Sequence, residues 1–502
     1  MDLDIKTGHY KKTILCIVAG ISLPLAYAPY NIAPVAFISA AILFYLWYDA
    51  SPKTSFVTGY IFGFCMFGTG VNWLHISINL FGGVNLAGAY LVTYLLVAFL
   101  ALYPASAGYI SRKCGNNNQY LCLLVLMPAV WTLAEWCRSW IFTGFPWLNL
   151  GYSQTDTLLA GFAPVFGVYA VTWLVCTCAA LVVALFKVPL RLKGVVALAI
   201  ICIWTSAVAV HGIKWTKAVA GQRSVALVQG AIPQELKWDP DLQQHTLNLY
   251  LSLTDPFWGN DLVIWPETAI PMFYHQATSV LESLRTQAIT YGTDVITGIP
   301  SQDTDSRKYY NSIIVVGSNN EIYNKRHLVP FGEYLPLEEW LRPLLNMLHI
   351  PISSFSPGSG RPLVHAAGIP IGVSICYEDV FGEEIIDALP EAELLVNISN
   401  DAWFGDSLAP HQHLQMARMR AIETGRYMLR ATNTGASAII DESGKIVSSS
   451  VQFKPEAISG NVKLFTGMTP YAKYGNMPVI LFEFLLCLVI VFYNYRKGRV
   501  EK

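Results

Sequence analysis

The chain has 502 residues, of which 53% are hydrophobic and only 13% charged, and its mean hydropathy is +0.41. Soluble domains carry about 25% charged residues, so this balance excludes an ordinary soluble protein and marks one embedded in a membrane. A net charge of −1 gives no footing for a nucleic-acid partner, which needs a concentrated basic surface. The cysteines form no CxxC pair and no Cys/His cluster, so neither a structural zinc nor a disulfide framework is expected, and no metal or cofactor either.

The first apolar run, 13–30, follows Lys6, Lys11 and Lys12. The sequence Ala26-Tyr27-Ala28 resembles a signal-peptide cleavage site, but Pro29 behind it and the spans that follow argue for an uncleaved first helix. Six more stretches long enough to cross ~30 Å of hydrocarbon lie near 33–50, 55–77, 86–110, 119–137, 158–186 and 194–213, and an eighth lies near 476–495. With the N-terminus inside, the inner loops collect nearly all the Lys and Arg, from Lys53 through Arg112, Lys113, Lys187, Arg191 and Lys193 to the basic tail, while the short outer loops carry Arg138. That bias places residues 214–475 on the outer face and both termini inside. The expected organisation is a seven-helix transmembrane domain over 1–213, an outer domain over 214–475, and a final span with its tail over 476–502. Arg138 is expected to snorkel at the interface, with a phospholipid phosphate as the alternative partner.

Over 214–475 the pattern changes to short strands alternating with amphipathic helices. Strands are predicted at 224–231, 262–265, 295–299, 312–316, 371–375, 394–398 and 436–440, and helices at 241–253, 277–291, 382–389 and 408–424. Such alternation argues for a layered α/β domain.

Two of the predicted strands end in reactive groups. The run at 371–375 stops at Cys376, Tyr377, Glu378 and Asp379, and Cys376 is the one cysteine outside the apolar segments. The run at 262–265 stops at Pro266 and Glu267, and a later strand edge presents Lys325 shortly before Glu333 in a Gly-containing turn. Singly, each has a plain alternative: a core thiol, a turn cap, surface charges. His411 and His413, two residues apart, lack the i, i+4 spacing of a metal pair and are expected to be polar residues at a helix start. An apolar insertion at 337–350, carrying Trp340, Leu341, Leu344, Leu345 and Leu348, is read either as core or as an arm that covers lipid tails.

The order Glu267, Lys325, Glu333, Cys376 resembles the nitrilase superfamily, whose members carry these groups at strand ends of an αββα sandwich. The chemistry fits the set: a thiol with an ordinary pKa of about 8.5 needs a base to take its proton and a cation near the developing oxyanion. The chain further resembles the apolipoprotein N-acyltransferases over nearly its whole length, at 144–154 (GFPWLNLGYSQ), 228–238 (VQGAIPQELKW), 265–268 (WPET), 325–334 (KRHLVPFGEY), 376–378 (CYE), 400–407 (NDAWFGDS), 411–426 and 431–435. That resemblance implies a bacterial inner-membrane enzyme with a periplasmic catalytic domain. It implies an acyl donor, phosphatidylethanolamine attacked at its sn-1 ester, and an acceptor, the α-amino group of a diacylglyceryl apolipoprotein. Cys376 would be the nucleophile that forms a thioester, Glu267 the general base and Lys325 the cationic stabiliser. In support it implies Glu333 as a second carboxylate, Trp238 as an apolar wall, and Tyr377 and Glu378 as orienting groups. The competing readings are an anchored amidase acting on a small amide and an inactive membrane scaffold; an acyl chain from phospholipid on Cys376 discriminates against both.

Overall fold

The computed structural model describes residues 2–115, 118–303, 306–335 and 355–500. The insertion at 337–350, with Trp340 and Leu344, lies outside the described residues. Two compact units are present: one holds 1–75, 87–213 and 474–502, and the other holds 76–86 and 214–473.

In the first unit each of the eight apolar stretches is mostly helical. Five helices among the described residues are long and apolar enough to cross a membrane, and six if Pro52–Gly70 and Leu74–Leu80, bent by 56°, form one span. Two stretches fall short of that measure for simple reasons. Pro34–Tyr48 has 15 residues, a rise of about 22 Å, and Asp2–Ser22 opens on a charged segment.

Arg138 does not snorkel. Its side chain is buried and donates to the carbonyls of Phe145 and Trp147 and to Asn149 Oδ1, at 2.5, 2.6 and 2.5 Å. The segment 144–149 is irregular backbone, whose carbonyls have no helical partners, and a guanidinium fork supplies the missing donors. Glu135, one turn earlier on the same helix, does the converse: it accepts from Leu150 N–H, Trp131 Nε1 and Thr172 Oγ1.

Among the described residues the second unit is built on twelve strands. In chain order they are β1 (Lys217–Gln229), β2 (Leu262–Ile264), β3 (Asp294–Gln302), β4 (Tyr309–Val316), β5 (Ile322–Asn324), β6 (Leu363–Ala366), β7 (Ile369–Ile375), β8 (Leu394–Ser399), β9 (Met428–Thr432), β10 (Ala438–Ile440), β11 (Ile446–Ser449) and β12 (Glu456–Thr466). They form two six-stranded sheets, ordered β12-β1-β2-β3-β4-β5 and β11-β10-β9-β8-β7-β6. The central pairs β1/β2, β2/β3, β7/β8 and β8/β9 are parallel, which explains why β2 and the first half of β8 read as apolar runs without alternation: both of their faces are covered.

Between the sheets Val225, Leu227, Ile264, Ile296 and Ile313 meet Val373, Ile375, Val396, Ile398 and Leu429 in one core. The outer face of the first sheet packs under Gln243–Thr254 and Thr278–Tyr291, through Leu247, Tyr250, Leu284 and Ala288. The outer face of the second packs under Gly382–Ile386 and Leu408–Thr424, through Ile385, Leu414, Ala417 and Ala421. The result is the four-layer αββα sandwich that the resemblance implies. Because β4 is antiparallel to both β3 and β5, β5 runs in the direction of β2, and their C-terminal ends share one edge of the sheet. Glu267 and Lys325 follow those two ends.

Candidate active site

β7 stops at Ile375, and Cys376 takes a left-handed backbone conformation, φ +52°, before a single 3-10 turn over Cys376–Val380. For a residue with a side chain this costs on the order of 1–3 kcal/mol and persists only where its surroundings enforce it. Glu378 enforces it. Its Oε2 accepts from Ile375 N–H at 2.7 Å, and its Oε1 accepts from Tyr323 Oη at 2.8 Å and from the N–H groups of Arg326 at 2.6 Å and His327 at 3.2 Å. One carboxylate thus ties the turn after β7 to the segment after β5, which fixes Cys376 relative to Lys325. Burial pushes the Glu378 carboxyl upward, while Lys325 and the backbone donors oppose that rise. Glu378→Gln exchanges an acceptor oxygen for an amide that cannot accept, and stranding a buried donor costs about 1–3 kcal/mol. A lower unfolding midpoint in detergent is the expected result, and an unchanged midpoint would deny Glu378 this role.

Lys325 is 1% exposed, and its Nζ pairs with Glu333 at 2.9 Å to Oε1 and 2.8 Å to Oε2. Glu333 is held in turn by Val329 N–H on Oε2 at 2.8 Å. The two carboxylates are joined by Asn311 of β4, whose Nδ2 donates to Glu267 Oε1 at 2.7 Å and to Glu333 Oε1 at 3.0 Å. Glu267 is 7% exposed and Cys376 is 9% exposed, so the cluster is almost dry. A continuous chain therefore runs Glu267, Asn311, Glu333, Lys325.

Charge decides the protonation of this cluster. Burial pushes the Cys376 thiol well up, Glu267 adds to the rise, and Lys325 opposes it. For Lys325, burial would release the proton, but Glu333, Glu267 and Cys376 more than offset that and keep the ammonium charged. Both shifts favour a protonated thiol beside a charged ammonium. Such an arrangement suits nucleophilic attack on a carbonyl, with an oxyanion forming near an ammonium.

Of the residues singled out in the sequence, Glu267, Lys325, Glu333, Cys376 and Glu378 are brought together by these bonds and fields. Tyr377 is buried edge-on against the rings of His327 and Phe381. Trp238 is 48% exposed, and the buried member of that pair is its neighbour Lys237. His413 is no polar helix-start residue. Leu408–Thr424 lies flat on the second sheet, which turns His413 inward, where Nε2 meets Asp379 at 2.7 Å and Nδ1 meets Asp401 at 3.2 Å.

Sequence reasoning passed over Asn311, Lys237, Asp401 and Arg430, and it gave Asp379 and His413 no part in a buried charge cluster. The signal for Asn311 was present, an amide next to Ser312 near the start of a strand whose remaining residues are aromatic or aliphatic, which must be satisfied from another element once buried. All ten cysteines are free, and among the described residues no three His, Cys, Asp or Glu side chains converge as metal ligands would.

Comparison with known proteins gives concordant matches. Residues 224–466 match the family model described as carbon-nitrogen hydrolase, and residues 19–181 match the apolipoprotein N-acyltransferase N-terminal domain. The chain is similar to the apolipoprotein N-acyltransferase of Methylococcus capsulatus, at 45% identity over 94% of each chain. It is also similar to that of Vibrio cholerae, at 38% identity over 96% of each, and to that of Coxiella burnetii, at 39% identity over 93% of this chain and 97% of the relative. Among solved structures, a CN-hydrolase superfamily protein from Xanthomonas campestris aligns at 21% identity and TM-score 0.37, covering 48% of this chain and 91% of that one. At these identities over nearly the full length, the chain belongs to the apolipoprotein N-acyltransferase family.

Proposed function

We propose that this protein N-acylates lipoproteins through a thioester on Cys376. The observation that carries the reading is the buried chain from Glu267 through Asn311 and Glu333 to Lys325 around a strand-end thiol, in a member of this family. In the first step Cys376 Sγ attacks the sn-1 ester carbonyl of phosphatidylethanolamine and Glu267 takes the thiol proton. The ester C–O bond then breaks, and the proton passes to the leaving lysophospholipid oxygen. In the second step the α-amino group of the diacylglyceryl cysteine attacks the thioester, the C–S bond breaks, and Glu267 returns the amine's proton to sulfur. Lys325 stabilises the oxyanion in both steps, with Glu333 holding its ammonium in place. The domain limits of 1–213, 214–475 and 476–502, an outer catalytic domain facing the periplasm, and inward termini complete the reading. Their support is the one-sided distribution of Lys and Arg.

The test is mass spectrometry of the full chain after incubation with phosphatidylethanolamine vesicles, then with a diacylglyceryl lipopeptide. An acyl mass on Cys376 that moves to the peptide amine is expected; no acyl mass on Cys376 overturns the proposal. Glu267→Gln and Lys325→Ala are each expected to slow thioester formation by about 10²–10⁴-fold. Thioester that accumulates in either variant would assign that residue to the second step instead.

A further inference from the structure

A lysine is almost never fully buried unless something holds its charge. Lys237 is 5% exposed, and its Nζ donates to the main-chain carbonyl of Glu267 at 2.9 Å, a bond buried at both ends. The turn that carries it is anchored from the sheet that carries Cys376. Gln234 accepts from Asn400 at 2.6 Å, Asn433 donates to Asn400 at 3.1 Å, and Asn433 exchanges two hydrogen bonds with the backbone of Ile232. Lys237 therefore reaches the Glu267 turn from a fixed base.

The Glu267 turn itself has little slack. Thr268 is left-handed at φ +51°, and Gly298 lies so close beneath that a Cβ there would stand 2.3 Å from Thr268 N. The charges facing Lys237 are Glu267 from the end of β2 and Cys376 from the end of β7. Lys325, coupled to Glu333, acts on the same two groups, and Asp401 and Arg430 act on Cys376 from behind.

We propose that Lys237 is a positioning residue of the acyl-transfer site, which pins the Glu267 turn and adds to Lys325 a second positive charge that favours the Cys376 thiolate. The inference rests on reading Cys376 as the nucleophile. Burial lowers the Lys237 amine to about 8, while Glu267 and then Cys376 hold it up. Its charge is therefore present at neutral pH and lost as pH rises through that value, whereas an arginine in its place stays charged throughout.

Alkylation of Cys376 by iodoacetamide, followed at that residue by mass spectrometry of the full chain in micelles, tests this without any lipid chemistry. Lys237→Met is expected to alkylate about tenfold more slowly than wild type at pH 7, the equivalent of about one pKa unit. That gap is expected to close above about pH 9, where the wild-type lysine is itself neutral, while Lys237→Arg outpaces wild type there. Equal rates for Met and wild type at pH 7, or a ratio that does not change with pH, would overturn the assignment. Where Lys237→Met unfolds, the comparison of Lys237→Arg with wild type above pH 8 decides alone. A pH-dependent gap in alkylation together with no lipid acylation of wild-type Cys376 would leave Lys237 where it is placed and remove the functional reading instead.

Discussion

Cys376→Ser is expected to yield a folded, membrane-inserted protein that carries no acyl group and transfers none, a loss on the order of 10⁴-fold or more. The substitution changes one atom and keeps the Cβ, so the left-handed turn held by Glu378 survives. What it removes is the acidity and softness of sulfur. Burial and the charge of Glu267 already push the thiol well above its ordinary range. A hydroxyl, far less acidic to begin with, suffers the same penalty and has no route to a useful nucleophile. Two measurements decide it: the unfolding midpoint in detergent, expected to match wild type, and the fraction of N-acylated lipoprotein N-terminal peptide made in cells that lack the native enzyme. Near-wild-type N-acylation would pass the nucleophile's role to another side chain.

Much of the site was legible because it stands at the ends of strands whose both faces are buried. β2 and β7 announce themselves as apolar runs, and each run gives way to a candidate residue, Glu267 after Pro266 and Cys376 after Ile375. The helix predicted at 408–424 has those limits in the structure, for local reasons. Ser407 caps its first turn by accepting from Ala409 N–H, and Gly425 closes it in the left-handed conformation, φ +62°.

What could not be read depends on partners far along the chain. β9 hides because Arg430 interrupts Met428–Thr432, and a charge inside a strand looks like a loop until its acceptors are known. β12 carries Gly460, Asn461 and Lys463 in its middle and pairs with β1, more than 200 residues earlier, so no neighbouring hairpin signals it. β6 and β11 are four-residue strands at the two edges of the second sheet, half exposed and mixed in character, so no apolar run marks them. Lys237 hid behind Trp238 for a different reason: an aromatic beside a lysine suggests that the ring is buried and the amine solvated. The anchored turn reverses that order, since it directs the amine to the Glu267 carbonyl and leaves the ring half in solvent.

Arg430→Met is expected to destabilise the second unit by about 3–5 kcal/mol, the cost of breaking a buried ion pair from one side. The guanidinium is fully buried; Nη1 reaches Asp379 Oδ2 at 2.8 Å and Asn397 Oδ1 at 2.6 Å, and Nη2 reaches Asp401 Oδ2 at 3.2 Å. Burial alone would raise the Asp401 carboxyl, yet Arg430 first and His413 second hold it down to about 2. A carboxyl lowered on folding contributes stability that is complete above its unfolded pKa of ~4 and is lost as pH falls through the folded value. Without Arg430, Asp401 stays buried with His413 and Ser399 as its partners, and protonation relieves it. The deficit of the variant should therefore be largest near pH 7 and shrink toward pH 4, where wild type keeps its advantage only in part. Asn397 extends the consequence to the nucleophile, since its Nδ2 donates to the Cys376 carbonyl at 3.3 Å and its oxygen is the one that Arg430 holds. Thioester formation is expected to fall with stability. Denaturant unfolding of the full chain in micelles at both pH values, with Cys376 acylation measured in parallel, checks the argument, and an unchanged midpoint at pH 7 would show that the buried charges are balanced without the arginine.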